Sequence, residues 1–397
     1  MDVLSLIGKV KLSLISKDLC PSCKKNGRVH CPHKQLLKIK NSPLFNKDYF
    51  FGPTPPNIFV PYFNYPKVFP QQIFLLDDTV VANPKYWYGS DFKKIIYYSS
   101  MQVRADLADK SQNSLSNLTD SVLSIKKVDV EANYLKKPQL LINFDQVNYP
   151  LGPMAVVDKV VLASNPKIPK RVDSLINDDI LASEAIKELS LAGFDEFYIL
   201  RIFSLGLLGK KRNKKFVPTR WSITAIDSTL AKINIEQLKK FSLVDKILVF
   251  ENFYLANKFT IILFPSNWEF ENMEVWCGSK TNFAISVEKE GFFGRTNFAS
   301  KQGGGYYASL LAVSEALAKK LQKQAGVLVI REIMPQYDLP VGVWEIRENI
   351  RHAFEKNPKI FDSKKELFEY LKKTLFLDLL IYLKNSSLLS QRLLQDF

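Results

Sequence analysis

Histidine is almost absent from this sequence, with three in 397 residues beside only four cysteines. Three of the cysteines fall between positions 20 and 31, so there is no spread of pairs to build a disulfide framework. A reduced, intracellular setting fits such usage. His352 is the only histidine outside the 30–33 stretch, so no nucleophile–histidine pair can be argued. Long apolar runs are also missing. The stretch Leu375–Leu383 is far short of the ~20 residues a membrane span needs, and it contains Asp378. Asp2, Lys9 and Lys11 interrupt the N-terminal apolar residues, so no clean signal-peptide core is expected. Gly303-Gly304-Gly305 lacks the Lys-Ser/Thr that follows in a phosphate-binding loop. No internal repeat is found.

What the chain has in excess is positive charge. Lys plus Arg number 55 against 40 Asp plus Glu, a formal net charge of +15. With a pI near 9.4, a polyanionic partner is expected, and nucleic acid is the commonest polyanion. General basicity for solubility is the plainer alternative. The length suits two or three domains. A hydrophobic fraction of 46% is enough for large cores without a covalent staple.

The patterning predicts an α+β protein. It would have an N-terminal zinc knuckle, a mixed or antiparallel sheet with flanking helices, and a mostly helical C-terminal part. Six prolines between 53 and 70 exclude a long helix there, and the polar 105–121 stretch reads as a surface loop. Apolar spacing from Ile176 to Ala192 predicts a helix that Gly193 stops. Strands are expected at 218–227, 246–254, 259–264 and 268–276. The second and third of these, separated by Leu255-Ala256-Asn257-Lys258, would form an antiparallel hairpin. Residues 306–325 and 364–384 read as helices and 326–331 as a buried strand. The expected division is a 1–40 zinc-knuckle segment, a 41–280 α+β domain, a 285–385 domain and a 386–397 tail.

Cys20-x2-Cys23-x7-Cys31-x-His33 has the spacing of a zinc site. The C-x-x-C pair presents two thiolates to one ion, and Cys31 plus a histidine can close a tetrahedron. His33 is preferred over His30, which is adjacent to Cys31 and would point away in an extended segment. Unmetallated thiols are the plain alternative. Whether such a knuckle touches nucleic acid or is only structural is left open by the residues.

The stretch 209–215 places Lys210, Lys211, Arg212, Lys214 and Lys215 together, a set able to neutralise several phosphates, or simply a solvated loop. In the expected strand after it, Arg220, Ser222 and Thr224 would share one face, with Trp221, Ile223 and Ala225 on the other. Asp227, Glu269 and Glu271 are the carboxylates that could hold two divalent metals for phosphodiester hydrolysis, although paired glutamates on a basic protein are more often ion-pair partners. At the C-terminus, Gln391, Leu394 and Phe397 are spaced three apart and would project from one side of a 3₁₀ turn. This looks like the peptide that docks on a replication sliding clamp; the alternative is the fraying end of the preceding helix.

Several segments resemble the archaeal Nre DNA-repair proteins. They are YPLGPMAVVDKVV at 149–161, SEAIKELSLAGFDEFYILRIFSLGLLGKKR at 183–212, FVPTRWSITAID at 216–227, GGGYYA at 303–308 and QAGVLVIREIMPQYDLPVGVWEIRENIR at 324–351. Asn26 stands where the family cluster usually has a cysteine, and Pro61-Tyr62 where it has Gly-Arg. The resemblance implies a metal-binding N-terminus, a role in DNA-damage repair and binding to the clamp PCNA, without a settled catalytic activity. The expected protein is thus a cytoplasmic, zinc-bearing DNA-repair factor. The alternatives are a metal-dependent nuclease and an RNA- or ribosome-associated binder.

Overall fold

The computed structural model describes residues 20–25, 28, 30–31, 33, 45–139 and 142–391. The described chain is α+β, with two sheets in two compact units. One unit holds residues 45–230 with 340–342; the other holds 231–339 and 343–391.

The first unit is built on a seven-stranded sheet. Its strands are β1 (Tyr49–Thr54), β2 (Ile58–Phe59), β3 (Gln71–Leu75), β4 (Gln102–Leu107), β5 (Val128–Gln139), β6 (Met154–Val157) and β7 (Val161–Leu162). The order is β1-β5-β6-β4-β3-β2, with β7 paired to β5. β4 and β6 run parallel and the other pairs antiparallel, so the sheet is mixed. Val128, Val130 and Ala132 alternate with exposed residues along β5, as a half-buried strand requires. They pack with Phe50, Phe74, Val103, Leu118 and Val122 in one core, where Phe50 stacks on Phe74 at 4.3 Å between ring centres.

Two expectations fail in this unit. The supposed loop at 105–121 is the end of β4 followed by a helix, Gln112–Leu123, capped by the Ser111 hydroxyl. Its inner face includes Ser114 and Ser121, both buried, and Ser121 donates to the Leu118 carbonyl. Serines on the inner face hide the helical period from a reading based on apolar residues. The segment 218–227 is not a strand either. It opens a 20-residue helix, Thr219–Leu238. Its buried positions 219, 222, 223, 226, 227, 230 and 231 recur at helical spacing, but four are Thr, Ser, Asp and Ala. Arg220, Ser222 and Thr224 therefore do not share a face. The 176–192 helix is also two: Lys170–Asn177 and Ala182–Leu191. The stop at Gly193 is as expected, with φ +86° and the Phe194 N–H bonded to the Leu189 carbonyl.

The second unit has a six-stranded sheet: β8 (Ile247–Tyr254), β9 (Asn257–Phe264), β10 (Glu269–Trp276), β11 (Ala284–Glu290), β12 (Gly326–Ile333) and β13 (Lys359–Phe361), in the order β11-β10-β12-β9-β8-β13. The expected hairpin is present. Tyr254 pairs with Asn257, and Leu255 and Ala256 both take positive φ in the two-residue turn. All eight residues of β12 are buried. It lies between β9 and β10, antiparallel to one and parallel to the other. The helix expected over 364–384 is broken into Lys364–Thr374 and Leu379–Asn385. At the break the Phe376 N–H donates to the fully buried Glu332 carboxylate at 2.6 Å, and Asp378 caps the second helix. That is a tertiary demand no local periodicity records. No helix among the described residues is long and apolar enough to cross a membrane.

Candidate metal centre and basic face

The cysteine cluster is organised by short-range geometry. Cys20 precedes a single helical turn, Pro21–Lys25, whose Lys24 N–H donates to the Cys20 carbonyl at 3.0 Å; the Arg28 N–H bonds the Cys23 carbonyl at 3.0 Å. These bonds fold the C-x-x-C into a knuckle. The ligand atoms of Cys20, Cys23, Cys31 and His33 all lie within 4.8 Å of one another. A tetrahedral ion with bonds of about 2.3 Å to sulfur and 2.0 Å to nitrogen needs ligand atoms roughly 3.5–3.8 Å apart, so the four donors fit one ion. Among the described residues, this is the group of His, Cys, Asp and Glu that could hold a metal.

The structure also separates the two histidines. His30 is directed elsewhere: its backbone N–H donates to Asp338 at 3.1 Å and its Nδ1 lies 2.7 Å from the same carboxylate. That leaves His33 as the fourth donor. The remaining cysteine, Cys277, is a core residue whose thiol burial pushes up to about 12, so it is an inert thiol rather than a ligand.

The basic stretch is fixed to its unit by backbone. Gly206 has φ +69°, and a Cβ there would meet the Lys215 carbonyl oxygen at 2.1 Å, a clash only glycine avoids. The Lys211 N–H donates to Asp179 at 2.7 Å, and a short 3₁₀ turn spans Lys211–Asn213. Lys211, Arg212 and Lys215 are exposed and Lys210 is half-exposed. Lys214 differs from them: its amino group donates to the Ile176 carbonyl at 2.6 Å, and burial holds its pKa below the ordinary lysine range. Arg220, in the first turn of the long helix, is bonded to Asp145 at 3.1 Å and lies 5.9 Å from the Tyr62 ring centre.

Among the described residues, Asp227, Glu269 and Glu271 do not come together as a group that could hold a metal ion. Glu271 is buried, and its oxygens accept from the Ser386 and Ser387 hydroxyls and from the Ser387 N–H at 3.0 Å. It caps the short helix Ser387–Ser390. Glu269 is pushed above the ordinary carboxylate range by burial and by Glu271 beside it. Asp227 is buried in the long helix. At the C-terminus, Gln391 is exposed and leaves that short helix in extended backbone; Leu394 and Phe397 lie outside the described residues.

Two sets of residues escaped the sequence reading. Four rings, Tyr62, Phe63, Tyr65 and Trp221, adjoin the basic stretch; the prolines between 53 and 70 signal only that no long helix forms there. In the other unit, Arg331 on β12 is buried against Glu274 at 2.9 Å, Glu345 at 3.3 Å and Asn257 at 2.9 Å. The signal was one arginine and one glutamate inside an otherwise apolar strand.

Comparison with known proteins agrees with the residues quoted above. The family model described as "Archaeal Nre, N-terminal" matches residues 26–282, and "Archaeal Nre, C-terminal" matches 290–397. DNA repair protein NreA of Archaeoglobus fulgidus is 34% identical over 87% of this chain and 90% of its own. DNA repair protein NreB of the same organism is 33% identical over 95% and 99%. DNA repair protein NreA of Haloferax volcanii is 34% identical over 85% and 87%. No solved structure matches. With both halves matched and relatives aligned over nearly their whole length, the chain belongs to the archaeal Nre family.

Proposed function

We propose that this protein is a DNA-repair factor that grips DNA mainly through its phosphates. The observation that carries this is the 209–220 segment. Residues 197–226 contain seven Lys or Arg and no carboxylate, and the backbone holds the exposed members in one place. Such an arrangement neutralises phosphates and releases counterions without reading sequence. The repair role comes from the relatives, which are named for it. The knuckle would hold one Zn²⁺ as a structural element, in keeping with its Cys₃His donor set.

Replacing Lys210, Lys211, Arg212, Lys214 and Lys215 together by alanine is expected to weaken binding to a short duplex more than about tenfold at ~0.1 M salt. The melting temperature should move little for the exposed members. Anisotropy with a labelled duplex measures this, and undiminished binding would place the contact elsewhere.

The last residues are proposed to recruit the protein to the replication sliding clamp. Leu394 and Phe397 would enter an apolar pocket, with Gln391 bonding at its edge. Two buried apolar side chains contribute roughly 1.5–3 kcal/mol each, offset in part by ordering the tail. A dissociation constant of about micromolar is expected. In a calorimetric titration against the cognate clamp, Phe397→Ala should lose most of the binding and Arg392→Ala little. Equal binding by wild type and Phe397→Ala would mean recruitment uses another surface.

A further inference from the structure

The rings beside the basic stretch form a joined set. A turn closed by the Tyr65 N–H donating to the Tyr62 carbonyl, with Asn64 at φ +64°, presents Tyr62, Phe63 and Tyr65. Tyr62 stacks on Phe63 at 4.2 Å, and Tyr65 meets Trp221 edge-on at 4.8 Å. Cations lie between the rings. Lys215 Nζ is 5.8 Å from the Tyr65 centre and the Arg220 guanidinium 5.9 Å from that of Tyr62. Thr219 pins the two segments together, its N–H donating to the Val60 carbonyl at 3.0 Å and its hydroxyl accepting from the Val60 N–H at 2.8 Å.

This set is open to solvent. Phe63 is 70% exposed and Trp221 47%. Scattered exposed rings are ordinary, but these are held by the fold and flanked by charge of one sign. Residues 49–76, like 197–226, contain no carboxylate. The one acid bonded here, Asp145, is engaged by Arg220 and so steadies that guanidinium over Tyr62.

Exposed aromatic faces interleaved with cations are what unpaired bases recognise. Each base can stack on a ring while its phosphate meets a lysine or arginine, and stacking needs no sequence. A fully paired duplex hides its base faces and can use only the cations. We infer that Phe63 and Trp221 form a stacking platform that takes unpaired bases of single-stranded DNA. The inference rests on the DNA-binding reading above and adds to it a preference for unpaired strands.

The test compares a 12-nucleotide thymidine oligomer with a 12-base-pair duplex at matched salt, using labelled DNA and the full-length protein. Phe63→Ala and Trp221→Ala should each weaken oligomer binding roughly 5- to 150-fold, the range given by loss of one stacked base. Duplex binding should change less than about twofold. Trp221→Phe keeps a ring and should keep most of the affinity. Trp221 is the most exposed of the five tryptophans, so the oligomer should quench wild-type fluorescence and quench Trp221→Phe much less. Phe293→Ala, at a 96% exposed ring of the other unit, should alter neither affinity. If the wild type binds duplex in a salt-dependent way but the ring variants bind the oligomer normally, the platform is wrong and the DNA reading stands. If the wild type binds neither ligand, both fall. A uridine RNA oligomer bound more tightly than the thymidine one would also overturn the assignment to DNA.

Discussion

Replacing Arg331 by methionine should destabilise its unit by about 3–5 kcal/mol, the cost of breaking a buried charged cluster from one side. Arg331 is 6% exposed and is the cation held between Glu274 and Glu345. Its loss leaves two carboxylates in the core facing an apolar side chain. Burial pushes the Glu345 carboxyl up to about 7, against the opposing pull of Arg331, and Glu274 pushes it the same way as burial. A carboxyl whose native pKa is raised contributes stability that is full below its unfolded value of about 4.5 and is lost as pH rises through about 7. The deficit of Arg331→Met should therefore be larger at pH 8 than at pH 5. Adding Glu345→Gln should recover part of it. Urea midpoints at the two pH values measure this; a loss under about 1 kcal/mol, independent of pH, would mean the cluster is not coupled as its geometry requires.

The second large effect concerns the knuckle. Wild-type protein is expected to carry one Zn²⁺ per chain, and Cys23→Ser to carry almost none. Cys23 is 1% exposed, and a serine cannot replace its thiolate. Structural zinc sites bind with apparent free energies of roughly 10–16 kcal/mol, so metal loss unfolds the local segment outright. The two histidines should separate. His33→Ala removes a ligand and lowers metal affinity, whereas His30→Ala removes the Asp338 contact and leaves the stoichiometry at one. Elemental analysis of the purified variants decides this. Full zinc in Cys23→Ser, or loss in His30→Ala with retention in His33→Ala, would overturn the ligand set.

The parts of this molecule legible in its sequence are those whose information is local and apolar. β8, β9 and β12 are rich in Val, Ile, Leu and Phe, and the sheet buries most of those side chains. The cysteine spacing likewise predicts a cluster that the fold brings within 4.8 Å. What failed was structure carried by buried polar groups. Ser114 and Ser121 in one helix, and Thr219, Ser222 and Asp227 in another, occupy inward positions. Two of them bond partners far along the chain: Thr219 accepts from the Val60 N–H, and Ser121 accepts from Gln72. The carboxylates too have partners that the sequence does not record. Glu271 resembles half of a metal pair in sequence, but in the fold it caps residues 386–388. The rings at 62–65 were visible as aromatic residues; that they face outward beside Lys215 and Arg220 follows only from the pairing of Val60 with Thr219.

The central claim is that the 209–220 segment meets phosphate. The most direct measurement is the slope of log affinity against log salt for a short DNA duplex, compared between wild type and the protein lacking the five basic side chains of 210–215. Each duplex phosphate contact contributes about 0.9 to that slope. Lys214 is already committed to the Ile176 carbonyl, so the variant's slope should be shallower by roughly 3–4 rather than by the full value for five. Two parallel lines, however far apart in affinity, would contradict the account.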